Sequence, residues 1–149
     1  MKDVKFRAWQ IQKQFMGIVD GISFDRYVKQ IKILNPKTQE YRFYKYDDCE
    51  LMQYIGMKDK NGVEIYEGDY LKDKYNNYYL IVYYESTCGF VAFNENDQGD
   101  YINDIANLLY NEEYEAIIIG NEYEENEYSR KIQGHQDLII NGIMEHNNE

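Results

Sequence analysis

Carboxylates are the groups in this chain that are numerous enough, and close enough in sequence, to do chemistry. Glu64, Glu67 and Asp69 fall together around the turn Glu67-Gly68-Asp69. Grouped carboxylates can hold a hard cation or act as an acid and base pair. An enzyme using them would need a cationic partner such as Arg7, Lys58 or Lys60 in a shared pocket. An Asp that follows Gly in a turn also caps backbone N–H groups, and that structural role is the expected one here. The two histidines, His135 and His146, stand near the C-terminus at a spacing that makes no zincin pair. Cys49 and Cys88 are too few for a disulfide framework and have no neighbouring cysteine for a metal site. They are expected to be small buried apolar side chains. Gly17-x-x-x-Gly21 and Gly120-Asn121 lack the glycine and lysine spacing of a phosphate loop. The sequence therefore assigns no catalytic residue, no cofactor and no metal ligand.

Aromatic residues supply a second kind of chemistry, recognition. Tyr78, Tyr79, Tyr83 and Tyr84 crowd one predicted strand. On alternate faces, one pair would be core and the other an exposed ladder, with cross-strand pairing the expected use. In the N-terminal half, Lys5, Arg7, Lys13, Arg26, Lys29, Lys32, Lys37, Arg42 and Lys45 are interleaved with Trp9, Phe15, Tyr41, Phe43 and Tyr44. Cations among stacking rings are the composition of a nucleic-acid surface. The net charge of −11 is unevenly divided. Residues 1–63 carry about +4, and residues 64–149 about −15. No basic residue stands between Lys74 and Arg130. That half repels phosphates. It reads as a solvated face, or, if the acids of residues 85–127 form rows on one side, as a mimic of DNA.

These residues must be positioned by strands. β-branched and aromatic residues dominate, and apolar and polar positions alternate. Val4–Trp9, Phe15–Val19, Ile22–Phe24, Val28–Leu34 and Glu40–Tyr46 are predicted strand segments. Gly17 and Gly21 break the second region, and Asn35-Pro36-Lys37-Thr38 forms a hairpin turn. Leu51–Ile55 and Val63–Tyr66 flank Lys58-Asp59-Lys60-Asn61-Gly62. There Asn61-Gly62 predicts a type I′ turn with both φ angles positive, and Lys58, Asp59 and Lys60 project from its tip. Tyr70–Lys74, Tyr78–Glu85 and Gly89–Asn94 read as three successive antiparallel strands. Ile102, Ile105, Leu108 and Leu109 switch to helical spacing, and Tyr114–Tyr123 returns to a strand. The expected fold class is mainly β, β-rich α+β, with short antiparallel strands and one or two short helices. An SH3-like barrel is expected in the C-terminal part, with N-terminal hairpins packed on it. The expected division is a hairpin region at 1–50, a barrel region at 51–129, and a tail at 130–149 that can form a helix.

The 149 residues suffice for one core without a disulfide or metal. No apolar run approaches the ~18 residues of a membrane span. The N-terminus has no apolar segment of a secretory signal. A bacterial host cytoplasm, with no membrane partner, is the expected location. Ile, Asn, Lys and Tyr make up about 60 of the residues; this bias reflects AT-rich coding rather than chemistry.

Leu51-Met52-Gln53-Tyr54-Ile55-Gly56-Met57-Lys58-Asp59-Lys60-Asn61-Gly62-Val63-Glu64-Ile65-Tyr66-Glu67-Gly68-Asp69 resembles the central motif of the YopX family of phage and prophage proteins. Lys5-Phe6-Arg7-Ala8-Trp9 matches the family's opening, and Ile118-Ile119-Gly120-Asn121-Glu122-Tyr123-Glu124 its closing motif. The Asn-Pro-Glu-Leu that normally follows is replaced by Glu125-Asn126-Glu127-Tyr128. The resemblance covers about residues 4–128 and stops before Arg130. It implies a phage or prophage origin and transfers no catalytic residue. Its turn residues, Gly56, Asn61, Gly62, Gly68 and Asp69, are explicable as backbone geometry. The expected function is a non-enzymatic accessory protein that binds a host or phage macromolecule, with a protein as the expected partner. The alternatives are a nucleic-acid-binding N-terminal half and an enzyme using Glu64, Glu67 and Asp69.

Overall fold

In a computed structural model of the chain, residues 3–94, 102–126 and 128–130 are described. The expected C-terminal tail beyond Arg130, and with it both histidines, lies outside them. The described chain divides into two units. One consists of residues up to Lys58 together with Gly62–Glu67; the other consists of Asp59–Asn61 with the described residues from Gly68 on. The fold is mainly β, and both sheets are antiparallel.

In the first unit, β1 (Phe6–Gln10), β2 (Phe15–Phe24), β3 (Lys29–Asn35), β4 (Glu40–Lys45), β5 (Cys49–Lys58) and β6 (Glu64–Tyr66) form one sheet in the order β4-β3-β2-β1-β5-β6. Strict alternation in β3 sends Ile31 and Ile33 into the core, both wholly buried, with Ala8 and Cys49 beside them. Phe15, Val19, Tyr44 and Leu51 pack against this cluster. The glycines of β2 do not break the strand as its sequence suggests. A Cβ on Gly17 would lie 2.1 Å from Ile33 Cγ2 and 3.0 Å from the Leu34 carbonyl oxygen, so glycine there makes room for Ile33. Near Gly21 the β2–β3 register shifts, which bends the strand without ending it.

β5 likewise runs through Gly56, whose φ of 86° places it in a bulge. Three β5 residues between Tyr54 and Lys58 face Ile65 alone on β6. The loop that follows is not the expected type I′ turn. Gly62 has a φ of 79°, but Asn61 is not left-handed. The Asp59 carboxylate accepts the Asn61 N–H at 2.9 Å, an Asx turn that closes a longer loop. Asp59 does not project either: it is buried, and its other oxygen accepts the Ile118 N–H at 3.2 Å.

In the second unit, β7 (Asp69–Lys72), β8 (Tyr78–Tyr84), β9 (Gly89–Phe93), β10 (Ile102–Asn103) and β11 (Ile117–Asn121) form a sheet in the order β10-β9-β8-β7-β11. Among the described residues this sheet is open, and no closed barrel forms. The strand from Leu51 is committed elsewhere, because β5 pairs with β1 from Gln10↔Cys49 to Phe6↔Gln53. Helix α1 (Ile105–Tyr110) starts where Asp104 accepts the Ala106 N–H at 2.9 Å, and it buries Ile105, Leu108 and Leu109. The helical spacing in the sequence named those three residues and also Ile102, which instead lies in β10 and pairs with Phe93. Leu71, Ile81 and Ala92 are wholly buried on the sheet. No helix of the described residues is long and apolar enough to cross a membrane.

Two glycines test two different constraints. Gly17→Ala forces a methyl group into Ile33 and should cost ~1–3 kcal/mol, seen as a lower denaturant midpoint. At Gly62 an added Cβ meets no atom within 4 Å. Gly62→Val is expected to cost above ~1 kcal/mol, from the left-handed φ rather than from a clash at Cβ. A midpoint equal to that of the unmodified chain would show that the turn does not need a left-handed residue.

Candidate interaction surface

The side of β1–β4 opposite Ile31 and Ile33 carries a row set by the ladder itself. Arg7 pairs with Ile18, Ile18 with Leu34, and Leu34 with Tyr41. Directly paired residues share a face, so the four side chains stand in line. Beside them, Lys32 pairs with Phe43 and Trp9 with Met16. Ile18 is 56% exposed, Tyr41 53% and Phe43 63%. Large apolar side chains this open, on β2 and β4 with half-buried Leu34 of β3 between them, form a contiguous patch. Lys32 Nζ lies 4.9 Å above the Tyr41 ring centroid and 2.8 Å from the Asp20 carboxylate. The ring is thereby held at a charged margin.

Toward β6 the same sheet holds a network of polar and aromatic groups. Lys5 pairs with Glu64, which also accepts the Tyr66 hydroxyl at 3.2 Å. Lys5 Nζ lies 5.2 Å from the Tyr54 ring centroid, and the Arg7 guanidinium 4.8 Å from that of Tyr66. Arg7 Nη2 donates to the Glu67 carbonyl at 3.5 Å. A shallow groove of about 480 Å³ runs along Lys5, Phe6, Ile18–Ile22, Glu64 and Tyr66. The hydrogen bond from Lys5 holds the Glu64 carboxyl below its ordinary value, whereas burial pushes Glu67 above it.

The expected carboxylate cluster is divided. Glu64 is engaged by Lys5 and Tyr66, Glu67 is half-buried in the same unit, and Asp69 is wholly buried in the other unit. Of the lysines named with them, Lys58 is exposed and Lys60 lies 3.6 Å from Glu115. No group of three or more His, Cys, Asp or Glu among the described residues is arranged to hold a metal.

The expected nucleic-acid set is divided between the two faces of the sheet. Lys13 sits 5.8 Å from the Tyr44 ring, which meets Phe15 edge-on, on the core side. Arg42 pairs with Glu40 at 3.2 Å. Lys29 lies on the face of Ile31 and Ile33, while Arg26 and Lys37 stand outside the strands. Arg7, Lys32 and Lys45 remain on the Tyr41 face, and the first two already rest on rings.

The tyrosines of β8 do not alternate between core and solvent as expected. Tyr78 and Tyr79 are both buried, and Tyr83 and Tyr84 are both exposed, so burial changes along the strand. Tyr78 stacks on Tyr128 at 4.6 Å, and Tyr70 meets the same ring at 4.7 Å. Tyr83 meets Phe90 edge-on across the β8–β9 ladder at 5.7 Å. Buried Asp73, which sequence reasoning passed over, accepts from the Tyr75 and Asn77 N–H groups, the Asn77 amide and the Tyr79 hydroxyl. Three of the described acids have partners. Glu115 faces Lys60, Glu124 accepts from Asn121, and Glu125 pairs with Arg130.

The family model described as YopX protein matches residues 5–128. The chain belongs to the YopX family. No curated protein matches it. Among solved structures, the crystal structure of protein EF1440 from Enterococcus faecalis is similar, with a TM-score of 0.57 and 29% identity. The match covers 83% of this chain and 96% of that one. The residues that carry the YopX resemblance hold backbone in place. The Gly68 N–H donates to Ile81, and its carbonyl accepts from Glu122. A Cβ on Gly120 would lie 2.6 Å from Asn126 Cβ. Asn121 accepts the N–H groups of Tyr123 and Glu124, and just past the motif Asn126 accepts those of Tyr128 and Ser129.

Glu67 and Glu64 should respond to pH with opposite sign. Burial raises the Glu67 pKa, so the folded chain holds that proton more tightly, and the group's contribution falls as pH rises through that range. Glu67→Gln should therefore melt above the unmodified chain near neutral pH and lose that advantage below about pH 3. Glu64 is lowered, so its contribution is present above its ordinary 4.5 and lost as pH falls through the folded value. Glu64→Gln should melt lower near neutral pH only. The two cysteines give a separate check. Burial pushes the Cys49 thiol up to about 11, while Cys88 is exposed. A thiol reagent at about pH 8 should modify Cys88 alone in the folded chain and both cysteines after unfolding. Rapid double labelling of the folded chain would contradict the burial of Cys49.

Proposed function

We propose that this YopX-family chain is a phage- or prophage-encoded accessory protein that acts by binding a host or phage protein in the bacterial cytoplasm, without catalysing a reaction. The contact surface is the β1–β4 face centred on Ile18, Leu34 and Tyr41. The exposure of that row carries the reading. Exposed apolar and aromatic residues bordered by charge are the composition of a protein-binding patch. Tyr and Arg are the residue types that most often dominate such contacts. Nucleic acid is less favoured, because Arg7 and Lys32 already rest on rings and Lys32 is paired with Asp20.

The test is capture from cells carrying the phage or prophage, with the unmodified chain compared against Ile18→Glu and Tyr41→Ala. Both positions are exposed, so melting temperatures should stay close to that of the unmodified chain. A protein retained by the unmodified chain and lost about tenfold or more by both variants is the expected result. Equal retention would move the site off this face. Retained material that a nuclease removes would favour the nucleic-acid reading instead.

A further inference from the structure

The sheet edges are not equally protected. β6 has three residues and β10 two. β11 is irregular between Ile118 and Gly120, and Asp59 takes its Ile118 N–H. β4 has six residues, and its ladder with β3 runs from Asn35↔Glu40 to Gln30↔Lys45 without a register shift. It contains no proline, and every residue but Tyr44 is exposed. Apart from the Glu40 N–H, which meets Thr38 Oγ1 at 3.4 Å, no described residue beyond β3 bonds to the backbone of β4. A regular, uncovered edge is a template for a further strand.

We propose that β4 pairs antiparallel with β4 of a second copy of this chain, about a two-fold axis normal to the sheet at Phe43. Such an axis sets one residue against its own copy and keeps each face continuous across the pair. Four centres can be compared. Tyr41 or Tyr44 at the axis leaves only three residues of each β4 in the ladder. Arg42 at the axis pairs five but opposes two like charges, which is destabilising. Phe43 at the axis also pairs five. It sets Phe43 against Phe43, Tyr41 against Lys45 of the second copy, and Arg42 against Tyr44, each of the last two occurring twice. Those are ring–ring and ring–cation pairs. The chain makes the same kind of contact internally, with Lys32 over Tyr41. This inference stands on the edge geometry and is independent of the function proposed above.

Sedimentation equilibrium of the full chain should show a monomer–dimer equilibrium, with Phe43→Lys weakening it about tenfold or more at unchanged melting temperature. Register is read by cross-linking in a Cys88→Ser background. Directly opposed Cα atoms in an antiparallel ladder are about 4.5–5.5 Å apart, within the disulfide range. Phe43→Cys should then oxidise readily to a covalent dimer. Arg42→Cys should do so far more slowly, because Arg42 faces Tyr44 of the copy rather than itself. A chain that stays monomeric up to about 1 mM overturns the proposal. So does a dimer insensitive to Phe43→Lys, or equal cross-linking at the two positions. If Phe43→Lys lowers the melting temperature, the cross-linking comparison decides alone.

Discussion

The burial of Ile31 and Ile33 against Ala8, with Gly17 yielding the space, is the constraint on which the candidate surface depends. Side chains on a strand alternate with a period of two. A slip of one residue in β3 would expel both isoleucines and turn Lys32 and Leu34 inward. The cost of exposing two wholly buried isoleucines, roughly 1.5–3 kcal/mol each, is large beside the total stability of a small domain. The core thus holds the opposite face in register. Ile18, Leu34 and Tyr41 line up because residues they never touch are packed beneath them.

Much of this was legible in the sequence. Alternation located β1, β3 and β4, and the change to helical spacing at Ile105, Leu108 and Leu109 located α1, because burial of a face is a local, periodic property. Interruptions were less legible. Gly17 and Gly21 looked like strand breaks, yet β2 runs through both. One glycine is there for Ile33, a residue distant in sequence, and the other lies at a register shift. Asn61-Gly62 has the composition of a two-residue turn, but Asp59 supplies a competing acceptor and the chain follows it. The expected barrel fails for a related reason. Nothing within Leu51–Ile55 shows that its ladder partner is β1 rather than a later strand.

The candidate site was legible in composition and not in arrangement. The cations and rings of the N-terminal half were all visible, but their division between two faces depends on pairing. Tyr78 and Tyr79 were expected on opposite sides of exposure, and both are buried, because Tyr128 stacks on one and Asp73 accepts from the other. The YopX motif itself marks the fold. Gly62, Gly68, Gly120 and Asn121 hold a left-handed turn, a two-sided backbone contact, a close approach and a loop. A motif with those duties can be long and specific without touching a ligand.

The assignment of Asp59–Asn61 to one unit while the residues on both sides belong to the other has a genetic consequence. The chain leaves the first unit at Lys58, returns at Gly62 and leaves again after Glu67. No single cut yields two self-contained pieces. A crossover before residue 59 would separate β5 from β6, and one between Gly62 and Glu67 would divide β6 or its approach. A crossover after Glu67 keeps both sheets whole but parts Asp59, the acceptor of the Ile118 N–H, from the strand it caps. Homologous genes that recombine should pass this stretch on intact, and the longest run of family resemblance in the chain is the segment that spans it.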